Sequence, residues 1–309
     1  MLNPPALNPP AIVTGATGGL GYATAIGLAR AGRPVVLTGR NAARGEQALE
    51  NLRAAVPGAT AEFRLLDVGS LKAVAAFASA WHGPLGLLVN NAGVMGYRER
   101  RATVDGFEAQ LGINYLGHFA LTLGLLPALL ATGGARVVNV SSVAHRAARI
   151  DFADLLSERS YKPMRAYGQS KLAMLMFARE LQRRATAAGW DLVSIAAHPG
   201  WSATSIVSNG FGTGLLGRIA QTGFNLLGQT ADAGALPILY AALDPAAEPG
   251  GYYGPANLSE TRGPVAPSKV MPQAKDATAA ERLWSVSEQL TGVHPPANPP
   301  ANPPESNVA

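Results

Sequence analysis

Short, continuously apolar segments alternate with helix-forming segments along this chain, and that alternation most restricts its fold. The apolar segments, which we predict as strands, lie at 11–14, 34–38, 61–66, 85–90, 135–141 and 191–197. Helical patterns lie between them, at about 20–31, 42–55, 70–81, 103–131 and 166–188. Strands with no polar face, such as 85–90, are typical of a sheet covered by helices on both sides. The sequence therefore predicts an α/β fold with a doubly wound parallel sheet.

The two ends of the chain differ from its body in composition. Together, residues 1–10 and 293–309 contain four Asn-Pro-Pro units, and adjacent prolines favour extended chain. We predict a Pro-rich tail over 1–10, a single domain over 11–292 and a Pro-rich disordered tail over 293–309. A ligand for a Pro-binding domain is the alternative reading of these tails. No basic region followed by an apolar stretch opens the chain, which predicts no signal peptide.

Composition excludes several classes of function. The chain has no Cys, which excludes disulfides, thiolate metal sites and a Cys nucleophile and suits a cytoplasmic protein. The net charge is +5 and the basic residues are scattered, so we expect no nucleic-acid partner. The longest apolar run, 119–131, is too short to span a bilayer, so we predict no transmembrane segment. Neither His145 nor His198 has a metal-ligand spacing, and we predict no metal.

A glycine-rich turn follows the first predicted strand, where ligands of doubly wound sheets bind. Its sequence is Thr14-Gly15-Ala16-Thr17-Gly18-Gly19-Leu20-Gly21. Glycines allow the backbone to approach a pyrophosphate closely, and the helix that follows presents free N–H groups to it. No Lys-Ser or Lys-Thr pair follows, which excludes the loop of nucleoside triphosphatases. The turn predicts a dinucleotide site, and a tight packing turn is the alternative.

Residues after the second and third strands address the choice of nucleotide. NAD sites usually place an acid at the end of the second strand, where it binds the ribose 2′-hydroxyl. This strand ends in Arg40, whose guanidinium suits a 2′-phosphate, so we expect NADP(H) in preference to NAD(H). An ordinary surface arginine is the alternative. After the third strand, Asp67 could bind the adenine amino group or cap the helix near Ser70.

Polar residues also follow the fourth and fifth strands. Asn90-Asn91-Ala92-Gly93 ends the fourth strand, and the pair Ser141-Ser142 ends the fifth. Tyr167 and Lys171, four residues apart, share one face of the helix at 166–188. A cation beside a phenol favours tyrosinate, so we expect a lowered pKa and a general acid or base at Tyr167.

Taken together and in order, these motifs resemble the short-chain dehydrogenases/reductases. They include the glycine turn, the Asn-Asn-Ala-Gly segment, Tyr167-(three residues)-Lys171 and Pro199-Gly200. The segments 37–41, 140–145 and 167–173 are most similar to the branch that contains retinol dehydrogenases and protochlorophyllide reductases. The resemblance covers about residues 11–292 and implies a single-domain Rossmann fold. It also implies an enzyme that uses NADP(H) to reduce a ketone or aldehyde, or to oxidise an alcohol.

The resemblance also implies roles for individual residues. Tyr167 would exchange the proton of the substrate oxygen, Lys171 would lower its pKa, and Ser142 would hydrogen-bond that oxygen. Asn114 would support a water that relays protons to Lys171. The implied cofactor contacts are Gly15, Thr17, Gly19, Leu20, Gly21, Arg40, Asp67, Val68, Asn91, Ala92, Gly93, Tyr167, Lys171, Pro199, Gly200 and Thr204.

Two further expectations and two alternatives complete this interpretation. A glycine-rich apolar segment at about 208–229 predicts a lid over a lipophilic small-molecule substrate. The apolar helices at 103–131 and 166–188 match the family's usual dimer interface, so we expect a homo-oligomer, a dimer or tetramer. The spacing Gly15, Gly18, Gly21 also fits an NAD(P)-dependent sugar-nucleotide epimerase or dehydratase. The other alternative is a non-catalytic protein that senses NADP.

Overall fold

The predicted alternation of strands and helices is present in the computed structural model of this protein, which describes residues 9–200 and 229–296. The first half contains β1 (Ala11–Val13), α1 (Gly19–Arg30), β2 (Val35–Gly39), α2 (Ala42–Ala55), β3 (Ala61–Leu65), α3 (Leu71–Ser79) and β4 (Leu87–Asn90). A nearly continuous helical region follows, with α4 (Ala109–Leu111), a π-helical turn (Gly112–Leu116), α5 (Gly117–Gly124) and α6 (Leu126–Leu130).

The second half supplies the remaining four strands of the sheet. Its elements are β5 (Ala135–Val140), a 3₁₀ turn (Val143–Ala147), α7 (Pro163–Ala187), β6 (Leu192–Ala197), α8 (Ala231–Leu243), β7 (Tyr252–Asn257), β8 (Arg262–Pro267), a second 3₁₀ turn (Pro272–Lys275) and α9 (Ala277–Thr291). The predicted lid at about 208–229 lies, except for Gln229, outside the described residues, as do most of the two predicted tails.

The described strands form one sheet in the order β3-β2-β1-β4-β5-β6-β7-β8. All neighbouring pairs are parallel except β7 and β8, which form an antiparallel hairpin. The order reverses between β1 and β4, which confirms the doubly wound sheet. Sequence analysis missed β8 because its two prolines are typical of a loop. Prolines are tolerated there because β8 is an edge strand.

The central strand β1 begins directly after a proline, as the sequence predicts. Pro10 cannot donate a hydrogen bond, but its carbonyl accepts from the backbone N–H of Gly86 (3.1 Å) and of Leu87 (3.3 Å). Ala11 is the first residue of the strand to donate, to the carbonyl of Pro34 (2.8 Å). The proline therefore sits where only an acceptor is needed.

The helix predicted over 103–131 begins later than expected. Glu108 precedes α4, and its carboxylate accepts from the backbone N–H groups of Gln110 (2.9 Å) and Leu111 (2.8 Å). Those contacts cap the helix at its N-terminus. Just before it, Gly106 has a positive φ of 87°, which no helix contains. The prediction is therefore wrong for residues 103–108, where capping and turn geometry outweigh the helical pattern.

The last helix covers the two helices on which the expected dimer interface depended. Trp284 of α9 is 2% exposed and packs against Phe119 of α5 (5.1 Å between ring centres) and Phe177 of α7 (5.8 Å). On its other side, the Arg184 guanidinium lies 4.2 Å from the Trp284 ring centre. The chain itself therefore buries these faces of α5 and α7, and the homo-oligomer stays a prediction.

No helix within residues 9–200 and 229–296 is both long and apolar enough to cross a bilayer.

Candidate active site

The glycine-rich turn after β1 is held against the end of β4 by contacts that leave no room for side chains. Gly15 has a φ of 65°, and a Cβ there would lie 2.9 Å from the Ala92 Cα. A Cβ on Gly21 would lie 2.5 Å from the Gly15 carbonyl oxygen. The Thr14 hydroxyl accepts from the backbone N–H groups of Asn91 (2.8 Å) and Ala92 (2.9 Å). These contacts require glycine at positions 15 and 21.

Helix α1, which this turn opens, has an N-terminus that the protein does not cap with a side chain. Side chains cap five other helices, α2, α3, α4, α8 and α9, through Asn41, Ser70, Glu108, Thr230 and Asp276. The residue before α1 is Gly18, which has no side chain to offer. An uncapped helix terminus presents its first N–H groups and a positive dipole end to a ligand. This feature fits the pyrophosphate of a dinucleotide.

A cleft at the carboxyl ends of the first four strands collects most of the predicted cofactor contacts. Its lining consists of Gly15, Thr17, Gly18, Gly19, Leu20, Gly21, Gly39, Arg40, Arg44, Leu66, Asp67, Val68, Asn91, Ala92, Gly93, Val94 and Ile113. Every cofactor contact predicted between residues 15 and 93 is in that set. Tyr167, Lys171, Pro199 and Gly200 are not, and Thr204 lies outside the described residues.

Two arginines border this cleft, and sequence analysis identified only one of them. Arg40 follows β2, and Arg44 lies in the first turn of α2. Both are exposed, and within the described residues neither lies within ion-pair distance of an acid. The spacing of four residues at a helix start was the signal that could have revealed Arg44. Together they form a guanidinium pair open to an anionic ligand.

Asp67 faces the same cleft, and its hydrogen bonds show whether its side chain caps helix α3. Its Oδ1 accepts from the backbone N–H of Gly69 (2.9 Å). Helix α3 is instead capped by Ser70, whose hydroxyl accepts from Ala73 N–H (3.3 Å). The helix-cap alternative for Asp67 is therefore wrong. Its contact with adenine stays a prediction.

The catalytic candidates meet where α7 passes the end of β5. Tyr167 and Lys171 are 8% and 5% exposed, and the Tyr167 phenol interacts with the Ser142 hydroxyl. Ser142 also accepts from the backbone N–H of Ala144 (3.2 Å) and so opens the 3₁₀ turn. The Ser141 hydroxyl, by contrast, donates to the Lys171 carbonyl (2.8 Å). Ser142 is therefore the serine of the pair that interacts with Tyr167.

Burial dominates the ionisation of this pair. It raises the pKa of Tyr167, although the interaction with Ser142 opposes that shift. Burial also lowers the pKa of Lys171 to about 8. The Lys171 ammonium donates to the Val140 carbonyl (2.9 Å) and lies 5.9 Å from the centre of the Tyr167 ring. The predicted lowering of the Tyr167 pKa is thus wrong for this structure. Burial removes the tyrosinate and the lysine ammonium from water, and for each charged group that costs free energy.

Asn114 joins the catalytic residues to the cleft. It lies in the π-helical turn, and its side chain accepts from Val94 N–H (2.7 Å) and donates to the Ser170 hydroxyl (2.9 Å). A Cβ on the neighbouring Gly93 would lie 3.2 Å from Asn114 Oδ1 and 3.6 Å from Lys171 Nζ. The segment after β4 therefore contacts both. The water relay expected at Asn114 stays a prediction.

His118 connects Asn114 to the glycine turn, a link that sequence analysis missed. Its Nδ1 donates to the Asn114 carbonyl (3.2 Å), so Nε2 accepts from the Thr14 hydroxyl (2.9 Å). Burial lowers the pKa of His118 to about 4, which keeps the ring neutral. The sequence placed this residue one helical turn after Asn114, but nothing in the pattern indicated its partner.

In residues 9–200 and 229–296, no cluster of His, Asp and Glu could hold a metal ion.

Comparison with known proteins gives three kinds of match. The family described as short chain dehydrogenase matches residues 10–211. The chain is 41% identical to mouse (Mus musculus) polyprenol dehydrogenase over 305 residues, which are 94% of this chain and 87% of that protein. It is 38% identical to human (Homo sapiens) retinol dehydrogenase 12 over 287 residues, which are 91% of this chain and 86% of that protein.

A similar solved structure has no assigned function. It is the crystal structure of an uncharacterized protein from Mycobacterium paratuberculosis, which is 40% identical to this chain. The match has a TM-score of 0.78 and covers 94% of this chain and 97% of that one. Sequence and fold therefore agree over nearly the whole length of the chain.

Proposed function

The chain belongs to the short-chain dehydrogenases, in their retinol-dehydrogenase-like branch, and on this basis we propose that it interconverts a carbonyl and an alcohol with NADP(H). The observation that carries the proposal is the placement of buried Tyr167 and Lys171 beside Ser142, next to the cleft that the glycine turn lines. Enzyme and oxidoreductase follow from family membership. The cofactor preference, the role of the tyrosine and the kind of substrate are the proposed parts.

NADP(H) is proposed over NAD(H) because of the charge at the end of β2. Arg40 and Arg44 both border the cleft there, and no carboxylate ends the strand. Guanidinium groups bind a phosphate in a bidentate manner, whereas a ribose 2′-hydroxyl calls for an acceptor. The same cleft offers the uncapped start of α1 to the pyrophosphate. The residues present therefore fit NADP(H).

The proposed mechanism uses Tyr167 as the acid in carbonyl reduction. Its raised pKa keeps the phenol protonated at neutral pH, so it can donate that proton to the substrate oxygen. Ser142, which interacts with the phenol, hydrogen-bonds the same oxygen. NADP(H), when bound, supplies or accepts the hydride. Lys171 contributes positive charge beside the phenol, and in alcohol oxidation Tyr167 takes the proton back.

A lipophilic small molecule is the proposed substrate. Similar proteins carry the names polyprenol dehydrogenase and retinol dehydrogenase 12, which are names of lipophilic alcohols. The apolar, glycine-rich composition of 208–229 supports the same class of substrate. We retain a cytoplasmic location as part of the proposal. A homo-oligomer, if formed, must use a surface other than the faces of α5 and α7 that α9 covers.

The alternatives are less well supported. A sugar-nucleotide epimerase or dehydratase does not account for the Asn-Asn-Ala-Gly segment, whose residues contact both the glycine turn and the catalytic lysine. A protein that only senses NADP does not require a buried Tyr167 beside Ser142, with a buried Lys171 5.9 Å from the centre of the tyrosine ring.

Turnover with a panel of carbonyl compounds tests the proposal. The protein is mixed with NADPH or NADH and with short-chain ketones, aromatic aldehydes, quinones, retinal and isoprenoid aldehydes. We expect oxidation of NADPH with at least one lipophilic carbonyl, and slower oxidation of NADH. Binding of NADPH with no turnover of any compound would favour the sensing alternative instead.

A further inference from the structure

A group of polar residues outside the Tyr167 site joins three segments at the catalytic end of the sheet. It consists of His198 after β6, Arg146 in the 3₁₀ turn after Ser142, and Glu260 in the β7–β8 hairpin. We infer that Glu260 is a positioning residue, which fixes the turn at Pro199–Gly200 and the loop that carries Ser142 relative to each other. The inference rests on the proposed function, since it concerns how the serine is held.

Glu260 makes three contacts with three different segments. Its Oε2 accepts from His198 Nε2 (3.1 Å) and from Arg146 Nη2 (2.7 Å), and its Oε1 accepts from Lys269 N–H (3.0 Å). The side chain is 17% exposed, so these contacts are partly shielded from water. They hold the pKa of the carboxyl at about 2, and the group stays anionic. A single carboxylate thus serves as the common acceptor.

The first path runs through His198 to the turn after β6. Gly200 N–H donates to His198 Nδ1 (3.2 Å), so the ring proton lies on Nε2, which faces both Glu260 Oε2 (3.1 Å) and the Ser268 hydroxyl (2.9 Å). The ring is fully buried and packs on Gly254, where a Cβ would collide with it. Gly200 itself has a φ of 68°, and a Cβ there would strike the Thr261 carbonyl in the same hairpin. The hairpin therefore dictates the conformation of this turn.

The second path runs through Arg146 to the catalytic serine. Arg146 lies in the turn that Ser142 opens, and its Nη1 donates to the Ser259 carbonyl (3.2 Å). The backbone of the same turn is held from the other side, where Gln273 Nε2 donates to the Arg146 carbonyl (2.9 Å). The guanidinium therefore connects the serine loop to the same hairpin that fixes Gly200.

The backbone at Glu260 adopts a conformation that needs such contacts. Leu258, Ser259 and Glu260 have φ values of 49°, 58° and 66°, three successive left-handed residues without a glycine. L-residues avoid that region, and such a turn persists only where surrounding contacts impose it. Leu258 is 61% exposed, so burial of its side chain does not hold the turn. The side-chain contacts of Glu260 hold it from outside, and within the turn Thr261 donates to the carbonyls of Asn257 (3.0 Å) and Leu258 (2.8 Å).

The test compares Glu260→Gln with Glu248→Gln, which removes the same charge from an exposed residue whose side chain makes no hydrogen bond among the described residues. With NADPH and a carbonyl that the wild type reduces, we expect Glu260→Gln to lower kcat about tenfold or more. Misplacement of a catalytic group by about 1 Å is enough for such a loss. KM for NADPH should change much less than kcat, because Pro199 and Gly200 are the predicted cofactor contacts that Glu260 would position, whereas those between residues 15 and 93 line the cleft. The control should match the wild type.

A double-mutant cycle and hydrogen exchange complete the test. Arg146→Gln combined with Glu260→Gln should lower kcat no further than the more damaging of the two single changes. In the full-length protein, Glu260→Gln should speed amide exchange in peptides covering 142–148 and 194–200, and Glu248→Gln should not. Unchanged exchange in both peptides, or faster exchange with unchanged kcat, would overturn the inference. If the wild type reduces no carbonyl, the proposed function fails, and the exchange result still decides whether Glu260 joins the two segments.

Discussion

The nucleotide cleft and the proposed catalytic end, around Tyr167, Ser142 and Lys171, lie at the same edge of one sheet but are built in different ways. Backbone shape makes the cleft: a glycine turn, an uncapped helix start and the Asn91 segment, with Arg40 and Arg44 exposed at its border. Buried side chains make the catalytic end, where Tyr167 and Lys171 are held by groups from β5 and its following turn.

That contrast separates binding from chemistry. Exposed arginines stay charged and flexible, so each contributes affinity and little else. Buried groups lose water, and their pKa values shift as the structure shows for Tyr167 and Lys171. We therefore expect changes in the cleft to alter KM and changes at the catalytic end to alter kcat.

The largest effect is expected at the catalytic end. Tyr167→Phe removes the proton donor but keeps the ring, so kcat for NADPH-dependent carbonyl reduction should fall by about 10³-fold or more. The dissociation constant of NADPH, measured by its fluorescence, should stay within about threefold, since the ring lies outside the cleft lining.

Tyr240→Phe is the matched control, because it removes a phenol on α8 that makes no hydrogen bond among the described residues. It should leave kcat unchanged. Undiminished turnover in Tyr167→Phe would show that this tyrosine takes no part in the mechanism. It would also contradict the expectation that changes at the catalytic end lower kcat.

A smaller and different effect is expected in the cleft. Arg40→Ala and Arg44→Ala should each raise KM for NADPH about tenfold or more and KM for NADH less than about twofold, since only NADPH carries the 2′-phosphate. Initial rates at varied cofactor concentration measure both constants. Arg30→Ala, which removes an exposed arginine at the end of α1, is the control. Equal effects on the two cofactors would contradict the phosphate role.

The smallest effect is expected from pH. Tyr167 has a raised pKa and stays protonated at neutral pH, while Lys171, with a pKa of about 8, loses its charge above that value. The rate of carbonyl reduction should therefore fall several-fold between about pH 7.5 and pH 9.5, and alcohol oxidation should rise with pH as Tyr167 gives up its proton. Rates in both directions, measured at saturating cofactor, check this. A reduction rate that increases above pH 8 would show that Lys171 does not act through its charge.

The predicted residues that the structure brings together in the cleft are those that directly follow strand ends. The glycine turn, the Asn-Asn-Ala-Gly segment and the contacts from Arg40 to Val68 all follow strand ends, and a parallel sheet brings strand ends to one edge. The helix predicted at 103–131 begins late because Glu108 caps it, and strand β8 was missed because it is an edge strand that contains prolines. Local sequence patterns describe helix caps and edge strands poorly.

Hydrophobic patterning and motif spacing alone determined the sheet, its winding and the approximate position of the site. Tertiary structure decided what depends on long-range packing: that α9 packs on α5 and α7, that burial raises the Tyr167 pKa instead of lowering it, and that Glu260 meets Arg146 and His198. The reason is physical. Periodicity records which face of a segment is apolar, but desolvation and side-chain contact depend on which distant segment covers that face.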